Sequence, residues 1–448
     1  MMFKKDKRKS ILPIILFIPI WLILLFSCDK GRSSIEPIPD EEINRGLVSI
    51  ITDAHYLSGK LHDQGERYNE LISGGDGKNT FIQEELFSSL LYSLRQEKPA
   101  ALFVTGDLTF NGAKLSHKGL ASWFGKIEAL GIAVYVIPGN HDINNPWARE
   151  FQNDKAIKVD TITPSEFRSI YEDFGYSDGI SYDDTSLSYL IEPLPGVQVF
   201  MLDTNKYEDN YKWGQPDTGG FIRPETRAWI REKGEAAKVE GKQVLVAMHH
   251  SLIEHNPMVS RGYTIDDSTS LVNLFSSLNI RVILSGHIHI QDIIERDTPM
   301  DRIYDIATGS LPVYPHRYGL IDLSDDEGWV YQTIPLPVEE WAIQNGKEDE
   351  NLHNFNKYSA EFFTAFSGKM VTQVLEDGSY TPSEIARIAE DSGILNQNFF
   401  AGREENNNGR IDEESLEDMF HDRNSFLFQY LKSILRDSAP PDNYLIIK

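Results

Sequence analysis

Residues 133–142 read Ala133-Val134-Tyr135-Val136-Ile137-Pro138-Gly139-Asn140-His141-Asp142. An apolar, mostly β-branched run stops at Pro-Gly and passes directly into three side chains able to bind a cation or move a proton. The same form recurs outward along the chain. Leu47–Thr52 ends in Asp53-Ala54-His55, Ala101–Thr105 in Gly106-Asp107, Val244–Met248 in His249-His250, and Arg281–Leu284 in Ser285-Gly286-His287-Ile288-His289. Val197–Leu202 is a further run of this kind. Continuous apolar character predicts strands covered on both faces. Helical spacing over Phe81–Gln96, Leu120–Leu130 and Leu271–Leu278 places helices between several of them. Strand and helix in alternation give an α/β fold, in which the carboxyl ends of the strands form the ligand crevice.

Spacing adds to this. In an extended chain residues two apart share a side, so Asp53 with His55, and His287 with His289, can converge on one centre. Gly106, Gly139 and Gly286 each precede a candidate ligand and allow close backbone approach. Singly, Asp53 reads equally well as a helix cap, Asn140 as a turn residue and His249 as a buried core histidine. Their repetition at successive strand ends is what points to a metal site.

These motifs, Asp53-x-His55, Gly106-Asp107, Gly139-Asn140-His141-Asp142, His249 and Gly286-His287-x-His289, resemble those of the calcineurin-like metallophosphoesterases over roughly residues 46–325. Gly106–Gly112 and Ile137–Pro146 are similar to an exported bacterial lipoprotein branch regarded as cyclic-nucleotide phosphodiesterases. The resemblance implies an αββα sandwich of two mixed sheets flanked by helices, with a helical C-terminal region. It places Asp53, His55, Asp107 and His289 on one divalent cation and Asp107, Asn140, His249 and His287 on the other, with Asp107 as the bridge. His250 competes with His249 if the register slips by one. Mixed imidazole, amide and carboxylate donors suit Fe, Mn or Zn. A hydroxide shared by the two cations would attack phosphorus in line. His141 would act as general acid toward the leaving group, with Asp142 orienting its ring. The reaction implied is hydrolysis of a small-molecule phosphoester, a phosphodiester such as a cyclic nucleotide. A phosphomonoesterase or nucleotidase on the same core is the rival, and a non-catalytic surface binding lipoprotein a more distant one. Asn111, His117, His255, Arg261, Tyr263 and His316 are the candidate substrate contacts, because loops after ligand-bearing strands carry specificity.

Composition sets the surroundings. The 448 residues carry 43 Lys+Arg against 68 Asp+Glu, a formal charge of -25, which repels phosphate backbones and argues against a nucleic-acid scaffold as partner. A single cysteine, Cys28, excludes intramolecular disulfides and thiolate metal sites. It follows a basic segment and the apolar run Ile11–Phe26, which together form a secretory signal. Leu25-Phe26-Ser27-Cys28 resembles the lipobox of bacterial lipoproteins, implying a lipid on Cys28 and a catalytic domain held to the cell envelope outside the cytoplasm. The expected organisation is a signal peptide over 1–27, a tether over 28–45, a catalytic domain over 46–338 and a helical region over 339–448. Within the last, Asn406–Asp412 is similar to half of a calcium loop, yet Ser415 stands where the closing bidentate Glu belongs. A turn leading into a helix capped by Asp412 is the plainer expectation.

Overall fold

A computed structural model describes residues 35–448 apart from 76, 325–327, 377–378, 408–410 and 438–439. The expected signal peptide and Cys28 lie outside the described residues. Strands β1 (Asn44–Ile51), β2 (Pro99–Thr105) and β3 (Ala133–Ile137) run parallel in the first sheet, as their apolar runs require. The hairpin β4 (Arg149–Gln152) and β5 (Lys155–Lys158) stands apart. The second sheet is built from β6 (Ser181–Tyr182), β7 (Tyr189–Leu194), β8 (Val197–Leu202), β9 (Gln243–Met248), β10 (Val282–Ser285), β11 (Asp292–Asp297) and β12 (Arg302–Ala307). Its order is β11-β12-β10-β9-β8-β7-β6, with β8, β9, β10 and β12 parallel and the edges antiparallel. The chain then returns through β13 (Arg317–Asp322) and β14 (Trp329–Pro335), antiparallel beside β1. Both sheets are mixed, and helices accompany them.

Every residue of β8 is buried, as are the last six of β1, so these strands are covered on both faces. The hydroxyl of Tyr189 donates to the carbonyl of Val136 at 2.8 Å and ties the second sheet to β3. From Val338 the chain is helical: Val338–Gln344, Glu350–His353, Phe355–Leu375, Pro382–Phe400, Glu413–Met419 and Phe426–Ser433. Thr381 and Glu384 close a capping box at the start of Pro382–Phe400. Asp412 caps Glu413–Met419 by accepting from Ser415 N–H, as expected. The final strand, β15 (Tyr444–Ile447), pairs with β14 and completes the first sheet, so the C-terminal region rejoins the sheet it follows. Residues 36–448 form one compact unit. The tether expected over 28–45 is docked by Ile38, whose side chain is buried and whose N–H donates to Leu130 O at 2.9 Å.

The helical region shares a core with the second sheet's ligand loop. Ile288, Ile290 and Ala307 pack with Leu395, Phe399, Leu416, Phe428 and Leu431. Burial at this level contributes ~1.5–3 kcal/mol per large apolar side chain. The loop carrying His287 and His289 is therefore seated on the C-terminal helices.

Candidate metal centre

Five loops leave the carboxyl ends of β1, β2, β3, β9 and β10 and meet at one rim. Donor atoms of Asp53, His55, Asp107 and His289 lie within 4.8 Å of one another, and so do those of Asp107, His249 and His287. Asp107 belongs to both groups. Its Oδ2 lies 3.7 Å from His55 Nε2 and its Oδ1 3.5 Å from His249 Nε2, so its two oxygens face different groups. Asn140 joins the second group through Oδ1, 3.1 Å from His249 Nε2.

The convergence has a cause other than strand alternation. Asp53, His55, Asp107, His287 and His289 all have positive φ, between 41° and 71°. Each lies past its strand in the left-handed region, where a side chain other than glycine is strained, and such strain collects at functional sites. The glycines serve close approach: a Cβ on Gly139 would stand 2.1 Å from Asp107 N, and one on Gly286 1.9 Å from Thr52 Oγ1.

Hydrogen bonds around the rings fix which nitrogens face inward. His249 Nδ1–H donates to Thr105 O at 3.0 Å, leaving the Nε2 lone pair toward Asp107 and Asn140. His287 Nε2–H donates to Gly262 O at 2.9 Å and Thr218 O at 3.1 Å, leaving Nδ1 for the centre. Backbone carbonyls commonly orient ligating histidines in this way. His55 Nε2 and His289 Nε2 face each other at 3.0 Å, and Asp53 Oδ1 is buried with no hydrogen-bond partner. Burial, and then the charge of Asp53, push Asp107 up to about 7. Burial holds His287 down at about 4 and His249 below its usual range, so both rings are neutral. Buried lone pairs pointing at one another, two carboxylates among them, are the donor set that divalent cations require. The residues fit a dinuclear centre.

His250 is turned away. Its Nδ1 accepts from Thr204 Oγ1 at 2.7 Å and its Nε2–H donates to Thr218 O at 3.1 Å, so neither nitrogen is free. His141 stands at the rim with 24% of its side chain exposed and Nε2 3.9 Å from Asp107 Oδ2. Its Nδ1–H donates to Phe110 O and Asn111 Oδ1, both at 3.0 Å.

Several expected roles are corrected. Asp142 does not orient His141; its carboxylate accepts from the N–H groups of Leu108, Thr109 and Gly139 and from Thr109 Oγ1, bracing two ligand loops. Asn111 does the orienting instead. His117 is fully buried in the first turn of Lys114–Glu128, bonded to Tyr171 Oη and Asp142 O, with burial lowering it to about 3. The side chain of His255 is also wholly buried, between Asp292 and Asp305. His316 is buried against Leu311 O and Ser359 Oγ, joining the ligand side of the fold to Phe355–Leu375. None of these three histidines is open to substrate. The ring of Tyr263 lies 4.8 Å from that of His287, while Arg261 is exposed.

Two features were not foreseen. Tyr263, His287 and His289 line a cavity of about 360 Å³ whose far wall is Phe366, Phe400, Phe426 and Tyr430 from the C-terminal helices. Those four aromatics also line an adjoining cavity of about 670 Å³. Lys78, 6% exposed, adds to the burial that lowers His55. No periodicity in the sequence marks either, because the aromatics share helical spacing with core residues and Lys78 sits in an irregular Gly-rich stretch.

Similar proteins bear on this arrangement. The C-terminal domain of cyclic nucleotide phosphodiesterase matches residues 337–440. The chain is 22% identical over 322 residues to a probable glycerophosphodiester phosphodiesterase, GpdQ, of Arcobacter nitrofigilis, covering 70% of this chain and 94% of that one. Similar solved structures include a dimetal phosphatase from Danio rerio, at 13% identity and TM-score 0.46 over 65% of this chain and 98% of that one. A putative 5'-nucleotidase from Staphylococcus aureus gives 14% identity and TM-score 0.40 over 71% and 58%. Calcineurin-like phosphoesterase matches residues 48–291, more than half of the chain, and the chain belongs to that family of phosphoester hydrolases.

Proposed function

We propose that the protein is a dinuclear metal-dependent phosphodiesterase acting on cyclic nucleotides or related small phosphodiesters. The observation that carries the reading is the pair of buried donor groups sharing Asp107 beside a cavity walled by aromatic rings. Asp53, His55, Asp107 and His289 would hold one divalent cation, and Asp107, Asn140, His249 and His287 the other. When bound, such a pair supplies Lewis-acid charge at phosphorus and an activated water.

The chain's own residues do the rest. With Nδ1–H tied to Phe110 O and Asn111 Oδ1, His141 presents Nε2 to the rim, where the doubly protonated ring can give its Nε2 proton to the departing alkoxide and revert to neutral imidazole. Asp107 accepts the backbone N–H of His141 at 2.8 Å, so bridge and acid are held at fixed separation. Tyr263 and the aromatic wall offer flat, apolar contact for a base or another bulky ester group. A wall of this kind accepts the nucleoside of a cyclic nucleotide or the organic group of another diester. The similarity to the Arcobacter protein and to the cyclic nucleotide phosphodiesterase domain supports the same preference. Anchorage outside the cytoplasm by a lipid on Cys28 belongs to this proposal on the strength of the Leu25–Cys28 motif.

The test is turnover of bis(4-nitrophenyl) phosphate against 4-nitrophenyl phosphate with Mn2+, followed by a screen of 2',3'- and 3',5'-cyclic nucleotides. The diester should be preferred; a large excess of monoester turnover would sink the reading.

A further inference from the structure

The helices Phe355–Leu375 and Phe426–Ser433 both line the cavity of about 670 Å³, and the face that the first presents to it is apolar. Phe363, Phe366, Met370, Val371 and Val374 recur there at helical spacing. Phe363 and Val371 are buried and form the floor, while Met370, Val374 and Phe426 are 46%, 59% and 63% exposed. Two helices in full contact would bury such a stripe, and an apolar patch left open marks a place where something binds.

This space adjoins the metal centre. Phe366, Phe400, Phe426 and Tyr430 line it, and they also line the smaller cavity that holds Tyr263, His287 and His289. The rings of Phe426 and Tyr430 stack, 6.2 Å apart and 7° from parallel, so the partition between the two spaces is aromatic. The polar groups around the larger cavity are spent on one another. Tyr430 Oη donates to Asn396 Oδ1 at 2.6 Å, and Asn396 Nδ2 donates to Ser367 Oγ at 2.8 Å and to Ser392 O at 3.1 Å. At the far end His421 Nδ1–H donates to Ser379 O at 3.0 Å, and Ser425 Oγ caps Phe426–Ser433 by accepting from Phe428 N–H. A nucleobase placed here would lose water from its ring nitrogens and exocyclic groups without replacement. A saturated chain has no such groups to satisfy.

We propose that the larger cavity is a subsite for a long alkyl or acyl chain carried by the phosphodiester substrate, with the phosphate at the metal centre and the chain lying across the shared aromatic partition. The inference rests on the diesterase reading above and deepens it, by making one ester group of the substrate lipid-like. A concave site of this size, mainly aliphatic and aromatic, fits such a ligand. Binding by the chain is indifferent to the chemical step, so it should lower KM and leave kcat little changed.

The experiment compares methyl, decyl and thymidine 5'-yl diesters of 4-nitrophenyl phosphate, which share one leaving group, on the Mn2+-loaded full chain below the concentration at which the decyl ester aggregates. kcat/KM should rise at least about tenfold from methyl to decyl, through KM. Met370→Asp and Val374→Asp, both at exposed positions, should each remove most of that gain; the methyl ester is the internal reference within each variant. Equal turnover of methyl and decyl esters, a thymidine ester preferred to the decyl one, or a gain that survives both substitutions would overturn the subsite. A native dimer that Val374→Asp separates, with the chain-length ratio unaltered, would assign the face to a second copy and also overturn it. Calorimetric binding of the methyl and decyl esters to the metal-free chain separates this inference from the diesterase reading. Tighter binding of the decyl ester without hydrolysis of any ester would support the subsite and refute the diesterase, whereas equal binding would refute the subsite alone.

Discussion

The two loops that close the metal centre are fastened by opposite means. The loop Gly139–Asp142 is held locally and by polar bonds: one carboxylate, Asp142, gathers donors from Leu108, Thr109 and Gly139. The loop Gly286–Gln291 is held from far along the chain and mainly by apolar packing. Ile288 and Ile290 sit in a core made by helices between residues 371 and 435. A catalytic rim can therefore carry its own brace within a motif on one side and depend on a separate region on the other. The C-terminal helices are a structural requirement of the His287 and His289 loop as well as a wall of the cavity beside it.

Four substitutions break or sharpen that contrast. His141→Ala leaves both braces intact and removes only the proton donor, so kcat should fall ~10²–10⁴-fold on a poor leaving group while metal content stays constant. Steady-state kinetics with alkyl and nitrophenyl esters checks this, since an activated leaving group needs less help. Asp142→Ala cuts the polar brace and leaves several buried N–H groups unpaired, at a cost of ~3–5 kcal/mol. Its loss should appear in denaturant unfolding, and in weaker metal retention at Asn140 and His249. Ile288→Ala cuts the apolar brace, with an expected loss of ~2–4 kcal/mol. Because this loop carries His287 and His289, metal loss should reach both cation positions, and elemental analysis after dialysis should find less metal per chain than in Asp142→Ala.

The smallest effect concerns His255, which lies under the apolar side. Burial would lower this ring, but the hydrogen bond and charge of Asp292, and then Asp305, raise it from 6.5 to about 10. A folded-state value above the unfolded one gives stability that is complete below pH 6.5 and lost as pH rises toward 10. Unfolding midpoints of the native chain should thus decline across that window, and His255→Gln should flatten the decline.

The six strands expected from the sequence are buried on both faces, and in each the apolar character runs nearly unbroken. The limits of β3 and β8 are those expected, and the other four shift by one to three residues, β1 most, over Asn44–Ile51. Strands that the sequence did not mark interrupt their apolar run with polar residues: β11 reads Asp-Ile-Ile-Glu-Arg-Asp, β7 contains Glu192 and Pro193, and β13, inside its sheet, reads Arg-Tyr-Gly-Leu-Ile-Asp. The gathered donors were legible because each followed such a buried strand. What could not be read is which histidines are already satisfied. His117, His255 and His316 find Tyr171, Asp305 and Ser359 at least 43 residues away, and nothing local marks those partners. The orienting of His141 by Asn111 is hidden for the same reason, since it needs β2 and β3 to lie side by side. The spacing of Asp53 and His55 suggested convergence, but left-handed backbone and not strand alternation produces it.

Electron paramagnetic resonance of the Mn2+-loaded protein tests most directly whether Asp107 joins two cation positions. Two ions per chain with an exchange-coupled signal are expected in the native protein, and Asp107→Asn should abolish the coupling. A single ion, or two whose spectra are those of isolated Mn2+, would contradict it.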